Sequence, residues 1–250
     1  MSDLLALIPA RSGSLRVPNK NLRPFGGHPL LAYSVWQARH AGIFERIVVS
    51  TDSEEIAAVA QHYGAEVPFL RPAAMGTALS PDIEWVTHAL GEVAGTARHF
   101  AILRPTSPFR TPATIVRAYQ WFLDLGSAVD SLRAVSLCTE HPYKMWRLGS
   151  EDGRMEPLFR TPDHEVPYHS RPYQGLPQVY VQDSSLEIAH VSIVVEQHSI
   201  SGRRIAPFIS QDHEGFSIDH PIDWILAEHL VDTGAASLVE IPLPPYSAGR

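Results

Sequence analysis

Three observations predict an α/β fold with a mostly parallel sheet in three layers. Short apolar runs at 4–8, 46–51 and 100–103 have the continuous hydrophobicity of strands buried on both faces. Helical patterns at 30–41, 53–63, 81–93 and 112–125 alternate with those runs. The intervening loops are short, and such alternation gives a parallel sheet covered on both sides.

In chain order, LLALI at 4–8 is the first strand, and it enters a loop of Pro, Gly, Ser and Asn. The amphipathic helix at 30–41 is stopped by Gly42. RIVVST at 46–51 is the second strand, and Asp52 or Ser53 caps a helix that runs to about Tyr63, before Gly64. AEVPFL at 65–70 reads as a weaker strand. Pro81 and Asp82 open the helix that reaches Val93, and FAIL follows as a strand. Pro112 stands where a first-turn proline belongs. Beyond Gly126 the pattern changes. Residues 129–137 are β-like, 140–180 lack periodicity, 185–196 read as strand, and 222–231 form the last helix before a tail from Leu243. One domain over 1–250, with an irregular excursion at about 140–180, is the expected organisation. A structureless stretch of that length is rare unless it is functional or packs on a partner.

The 250 residues carry a formal net charge of -7, which argues against nucleic acid or an anionic membrane as a partner. No apolar stretch approaches the ~20 residues of a membrane span. The first residues lack the basic flank of a signal peptide, and the single cysteine, Cys138, fits a reducing cytoplasm. Cys138 and the tryptophans at 85, 121 and 224 read as core residues. Thirteen histidines show no metal-ligand spacing. The charge is uneven: Arg11, Arg16, Lys20, Arg23 and Arg39 face Asp3 alone within residues 1–44, a balance of +4 against -11 for the other 206.

The chemistry concentrates in IPARSGSLRVPNKN at 8–21. This loop leaves the first strand at its carboxyl end, where ligands of open α/β sheets bind. Gly13 permits close backbone approach, Arg11 and Lys20 supply charge, and Ser12, Ser14, Asn19 and Asn21 supply donors. The loop is neither a Walker motif nor a dinucleotide fingerprint. It reads as a phosphate-binding loop.

IPAR-x-GS-x-R-x-P-x-KN resembles the first motif of the acylneuraminate cytidylyltransferases, which make CMP-activated sialic and related nonulosonic acids. Further segments in the same order are similar to that family. They are Arg71-Pro72 with Ser80-Pro81-Asp82, Leu103 to Arg110, Glu140 to Lys144, Gln174 to Pro177, and Asp219 with Asp223. The resemblance implies a nucleotide-diphospho-sugar transferase (glycosyltransferase-A-like) fold and attack of a 2-keto sugar acid on the α-phosphorus of CTP. It implies Arg11, Lys20 and Lys144 as catalytic, with Ala10, Gly13, Ser14, Asn21, Arg71 and Ser80 on the nucleotide. Arg104, Arg171 and Gln174 fall on the acidic sugar, and Asp219 and Asp223 on Mg²⁺. It also implies a homodimer, with the excursion as dimer or sugar-site region.

The chain departs from the family pattern at several places. Ser217 replaces the first carboxylate of Asp-Ile-Asp, Arg104 replaces a glutamine, Tyr173 replaces an arginine, and Ala78 replaces an aspartate. Arg104 or Arg171 is then the candidate to meet the sugar carboxylate. Two alternatives stay open: a nucleotidyltransferase for another base or a sugar-phosphate acceptor, and a non-catalytic nucleotide-binding module.

Overall fold

The computed structural model describes residues 3–77, 79–149 and 153–247; Ala78 and the end of the tail, 248–250, lie outside the described residues. The chain divides into two compact units, one of 1–134 with 183–250 and one of 135–182.

Strand β1 (Leu4–Pro9) is buried along its first five residues. A two-residue ladder, β2 (Pro24–Phe25) with β3 (His28–Pro29), leads into α1 (Leu30–Ala41), which ends on Gly42 in the left-handed region at φ 65°. Next comes β4 (Arg46–Ser50), and the Ser53 hydroxyl accepts from Ile56 N–H to cap α2 (Glu54–His62). Helix α3 (Asp82–Val93) precedes β5 (His99–Leu103). Thr111 and Thr114 form a capping box at α4 (Pro112–Leu125), with Pro112 at its first position.

Strand β6 (Ser131–Leu137) leads into the second unit, which holds the hairpin β7 (Trp146–Leu148) with β8 (Met155–Pro157) and three single 3₁₀ turns. Strand β9 (Tyr180–His190) runs into α5 (Val191–Gln197), and β10 (Ile205–Ile209) and α6 (Pro221–Asp232) complete the fold.

The six-stranded sheet has the order β10-β6-β9-β5-β1-β4. Strand β1 pairs parallel with β4 and β5, and β9 pairs antiparallel with β5. Alternate residues of β1 enter two cores. Leu4, Ala6 and Ile8 pack with Leu31 and Val35 of α1, Ile115 and Phe122 of α4, and Trp224 of α6. Leu5 and Leu7 pack with Trp85, Val86 and Leu90 of α3 and Ile193 of α5. Helices therefore cover both faces.

Four sequence expectations need correction. Residues 65–70 make only one bridge, Glu66 to Val48, because Pro68 has no N–H to extend a ladder. The run at 185–196 switches to helix at Val191, where Ile193 and Val194 bury against the α3 side. Trp121 is 45% exposed, its indole N–H on the Pro207 carbonyl. Cys138 is half-buried, with its thiol on the Glu140 carbonyl.

Candidate functional site

A cavity of about 550 Å³ opens beyond the carboxyl ends of β1 and β5. Its walls include Arg11, Ser14, Lys20, Arg71, Arg104 and Asp219. The position agrees with the rule for open α/β sheets.

Lys20 is the centre of the arrangement. Its Nζ donates to the Ile218 carbonyl at 2.7 Å and to Asp219 Oδ1 at 3.2 Å, with 13% of the side chain exposed. Burial pulls its pKa below the usual lysine range, and Asp219 offsets only part of that pull. For Asp219, burial pushes upward, but the Ser217 hydroxyl on Oδ2 at 2.8 Å and the Lys20 ammonium outweigh it. Its carboxyl is held below the ordinary range. Asp219 is thus an ionised carboxylate facing a cationic loop. Asp223 acts on the backbone instead. Its Oδ2 accepts the N–H groups of Asp219 at 2.9 Å and His220 at 2.7 Å, capping α6. It lies outside the cavity wall, where it fixes the Asp219 backbone.

Arg11 donates from Nη1 to the Gly76 carbonyl at 3.3 Å, and the Asn21 amide holds the Arg11 carbonyl at 3.0 Å. Asn21 and Ser80 also line the cavity, Ser80 being bonded to the Ala74 carbonyl at 2.9 Å. Arg71 is buried and donates twice to Ser50, from Nε to the hydroxyl and from Nη2 to the carbonyl. Burial lowers its pKa to about 10 against the pull of Asp52 and Asp82. Ala10 and Gly13 stand apart from the wall. Ala10 is fully buried and extends the β1 ladder through its N–H on the Ser50 carbonyl. A side chain at Gly13 would meet nothing within 4 Å, so packing makes no demand for glycine there. Ser12 is likewise turned away: both its amide and its hydroxyl donate to Asp52.

Arg104, the candidate for a sugar carboxylate, lines the cavity with its charge already paired. Its Nη2 donates to both Asp82 and Glu187, and Glu187 also accepts from Arg133. Burial works against the charge, but Glu187 and Asp82 outweigh it and keep the guanidinium protonated. Two carboxylates therefore already match the charges of Arg104 and Arg133. Sequence reasoning missed Glu187 and gave Asp52 and Asp82 no role of their own at the site, because each acts through a partner 22 to 83 residues away. For Asp52 a signal existed, since it follows the carboxyl end of β4.

Lys144, Arg171 and Gln174 belong to the second unit. There Lys144 donates to the carbonyls of His169 at 3.0 Å and Arg171 at 2.7 Å. Arg171 holds Glu165 at 2.6 Å and the Val166 carbonyl, with its guanidinium over the Tyr168 ring. Gln174 is exposed in the 3₁₀ turn Tyr173–Gly175.

A basic loop, donors at a strand end and the ionised carboxylate of Asp219 suit a polyphosphate ligand with a bound cation. Comparison with known proteins agrees. The family model described as cytidylyltransferase matches residues 5–174. A CMP-N,N'-diacetyllegionaminic acid synthase of Legionella pneumophila is 36% identical over 241 residues, covering 94% of this chain and 99% of that protein. A protein of the same description from Campylobacter jejuni is 29% identical, covering 92% of this chain and 96% of its own length. Among solved structures, a CMP:2-keto-3-deoxy-manno-octonic acid synthetase complexed with CTP superposes with a TM-score of 0.67 at 13% identity, over 93% of this chain and all of that one. With more than half its length matched by the family model, the chain belongs to the cytidylyltransferase family.

Proposed function

We propose that this chain transfers CMP from CTP to a nonulosonic acid and releases pyrophosphate. The observation that carries the reading is the meeting of the basic loop with Asp219 in one cavity, within a chain so similar to CMP-legionaminic acid synthases. In the reaction the anomeric oxygen of the sugar bonds to the α-phosphorus. The bond from that phosphorus to the α–β bridging oxygen breaks, pyrophosphate leaves with that oxygen, and the hydroxyl proton passes to solvent. Catalysis of such a step is mostly positioning and charge stabilisation.

Arg11 and Lys20 hold the phosphates and take up charge that develops on the departing pyrophosphate. Asn21 fixes the loop, and Arg71, Ser80 and Ser14 complete the nucleotide side. Lys144 is our candidate for a further catalytic group, and Arg171 and Gln174 for groups that recognise the acidic sugar. Mg²⁺ commonly takes one or two carboxylates beside substrate phosphates. Asp219, with 43% of its side chain exposed and the Ser217 hydroxyl beside it, fits that pattern. Among the described residues no cluster of three His, Cys, Asp or Glu offers a denser cage. When bound, the ion would supply further counter-charge to the triphosphate.

The test is pyrophosphate release from CTP, UTP and GTP against legionaminate, pseudaminate, N-acetylneuraminate and 3-deoxy-octulosonate. Turnover that needs CTP and one of the three nonulosonic acids supports the assignment; a preference for UTP or GTP, or for the eight-carbon 3-deoxy-octulosonate, overturns it. No described helix is long and apolar enough to cross a membrane. A cytoplasmic homodimer completes the proposal. Leu148 and Met155, paired on the β7–β8 hairpin and both exposed, are our candidates for what a second copy would cover, and sedimentation as a monomer would refute it.

A further inference from the structure

Asp52 lies in the short connection between β4 and α2, outside the cavity wall. Both of its carboxylate oxygens are used on one residue of the basic loop. Oδ1 accepts the Ser12 N–H at 2.8 Å, and Oδ2 accepts the Ser12 hydroxyl at 3.0 Å. Ser12 is the turning point of that loop: Arg11 and Ser14 on either side of it line the cavity. A third segment closes on the same carboxylate. A Cβ at Gly76 would fall 3.2 Å from Asp52 Oδ2, so glycine lets the 3₁₀ turn Ala73–Gly76 press against it. The Gly76 carbonyl then receives Arg11 Nη1 at 3.3 Å. Asp52, Ser12, Arg11 and Gly76 thus form a closed circuit joining three segments that are remote in sequence.

A loop of Pro, Gly and Ser has little regular structure of its own, so ordering it during binding would weaken affinity. A charged acceptor holding two donors of one residue removes that penalty in advance. We propose that Asp52 is a positioning residue for the transfer reaction: it pins Ser12 so that Arg11 and Ser14 enter the cavity at fixed places. This rests on the reading of the loop as the phosphate site.

Three variants separate geometry from charge. Asp52→Ala removes both bonds. Asp52→Asn keeps them, since its oxygen accepts the Ser12 amide and its NH₂ donates to the Ser12 hydroxyl. Ser12→Ala removes only the hydroxyl bond. Expected results are a KM for CTP raised about ten- to hundredfold in Asp52→Ala, the scale of a charged hydrogen bond, with kcat changed less. Asp52→Asn should stay within about threefold of the parent. Ser12→Ala should add little in the Asp52→Ala background, because the two changes break one clamp.

Hydrogen exchange on the nucleotide-free chain gives a readout independent of turnover. Asp52→Ala should speed exchange across 11–16 and 73–76 while β1 stays protected. Unchanged exchange there would overturn the clamp, as would an Asp52→Asn variant as impaired as Asp52→Ala. Failure of the unmodified chain to bind CTP in calorimetry would overturn the transfer role. That failure is distinguishable, because the exchange experiment needs no nucleotide.

Discussion

Replacing Lys20 by Met removes one charge from the cavity at nearly constant side-chain volume. An ammonium at about 4 Å from a phosphate oxygen, at an effective dielectric near 20, is worth roughly 4 kcal/mol, or about a thousandfold in rate. Screening by water removes little of this, since the side chain is 13% exposed. The free protein, however, already uses the ammonium on Asp219 and the Ile218 carbonyl, so the net differential is smaller. Allowing for it leaves about 2–4 kcal/mol, a fall in kcat/KM of roughly 30- to 1000-fold. Stability should respond differently. Met needs no counter-ion in a buried position, and Asp219, 43% exposed at its side chain, stays hydrated. The melting temperature should therefore move by only a few degrees. The assay is pyrophosphate release at varied CTP, paired with a thermal melt. A variant whose kcat/KM stays within threefold of the parent would refute the electrostatic argument. A collapse in melting temperature would refute the claim that Lys20 serves the site more than the fold.

The remaining predictions concern stability. Glu187→Ala leaves Arg104 and Arg133 facing each other without their shared carboxylate, whose side chain is 4% exposed. A loss of about 3–5 kcal/mol in urea denaturation is expected, and less than about 1 kcal/mol would show that the network is solvated. His99 is pulled down to about 4, first by burial and then by His190, so the fold holds it neutral while the unfolded chain protonates near 6.5. Its contribution is fully present above 6.5 and is lost as pH falls from 6.5 towards 4. His99→Gln should flatten the drop in melting temperature across that window; an unaltered slope would point to other groups. Gly202→Ala places a Cβ 2.4 Å from the Asp130 Cβ at φ +65°, so denaturation should reveal a loss of at least about 2 kcal/mol.

The layers of the fold were readable because burial on both faces leaves a plain mark. The LLALI run could only be an inner strand, and Thr111-Pro112 could only start a helix. Strand β10 escaped because Pro207 interrupts it, which an edge strand tolerates and a central one does not. The turn from strand to helix at Val191 was hidden by β-branched residues whose packing against the α3 side overrides their preference. At the site, the basic loop announced itself through composition. The readings of Arg104 and Ser12 could not be made that way: the one is neutralised by Asp82 and Glu187, the other is spent on Asp52, and those pairings exist only after folding.

The bond between Lys20 and Asp219 joins residues 199 positions apart. During synthesis at about 5–20 residues per second, the lysine waits roughly 10–40 s for its carboxylate. A chain halted before β10 and α6 would carry the basic loop without the acid that balances it. Such a fragment could attract nucleotides while lacking Asp219 to complete the cavity. The pairing of this lysine with its acid is thereby tied to a late segment of the fold.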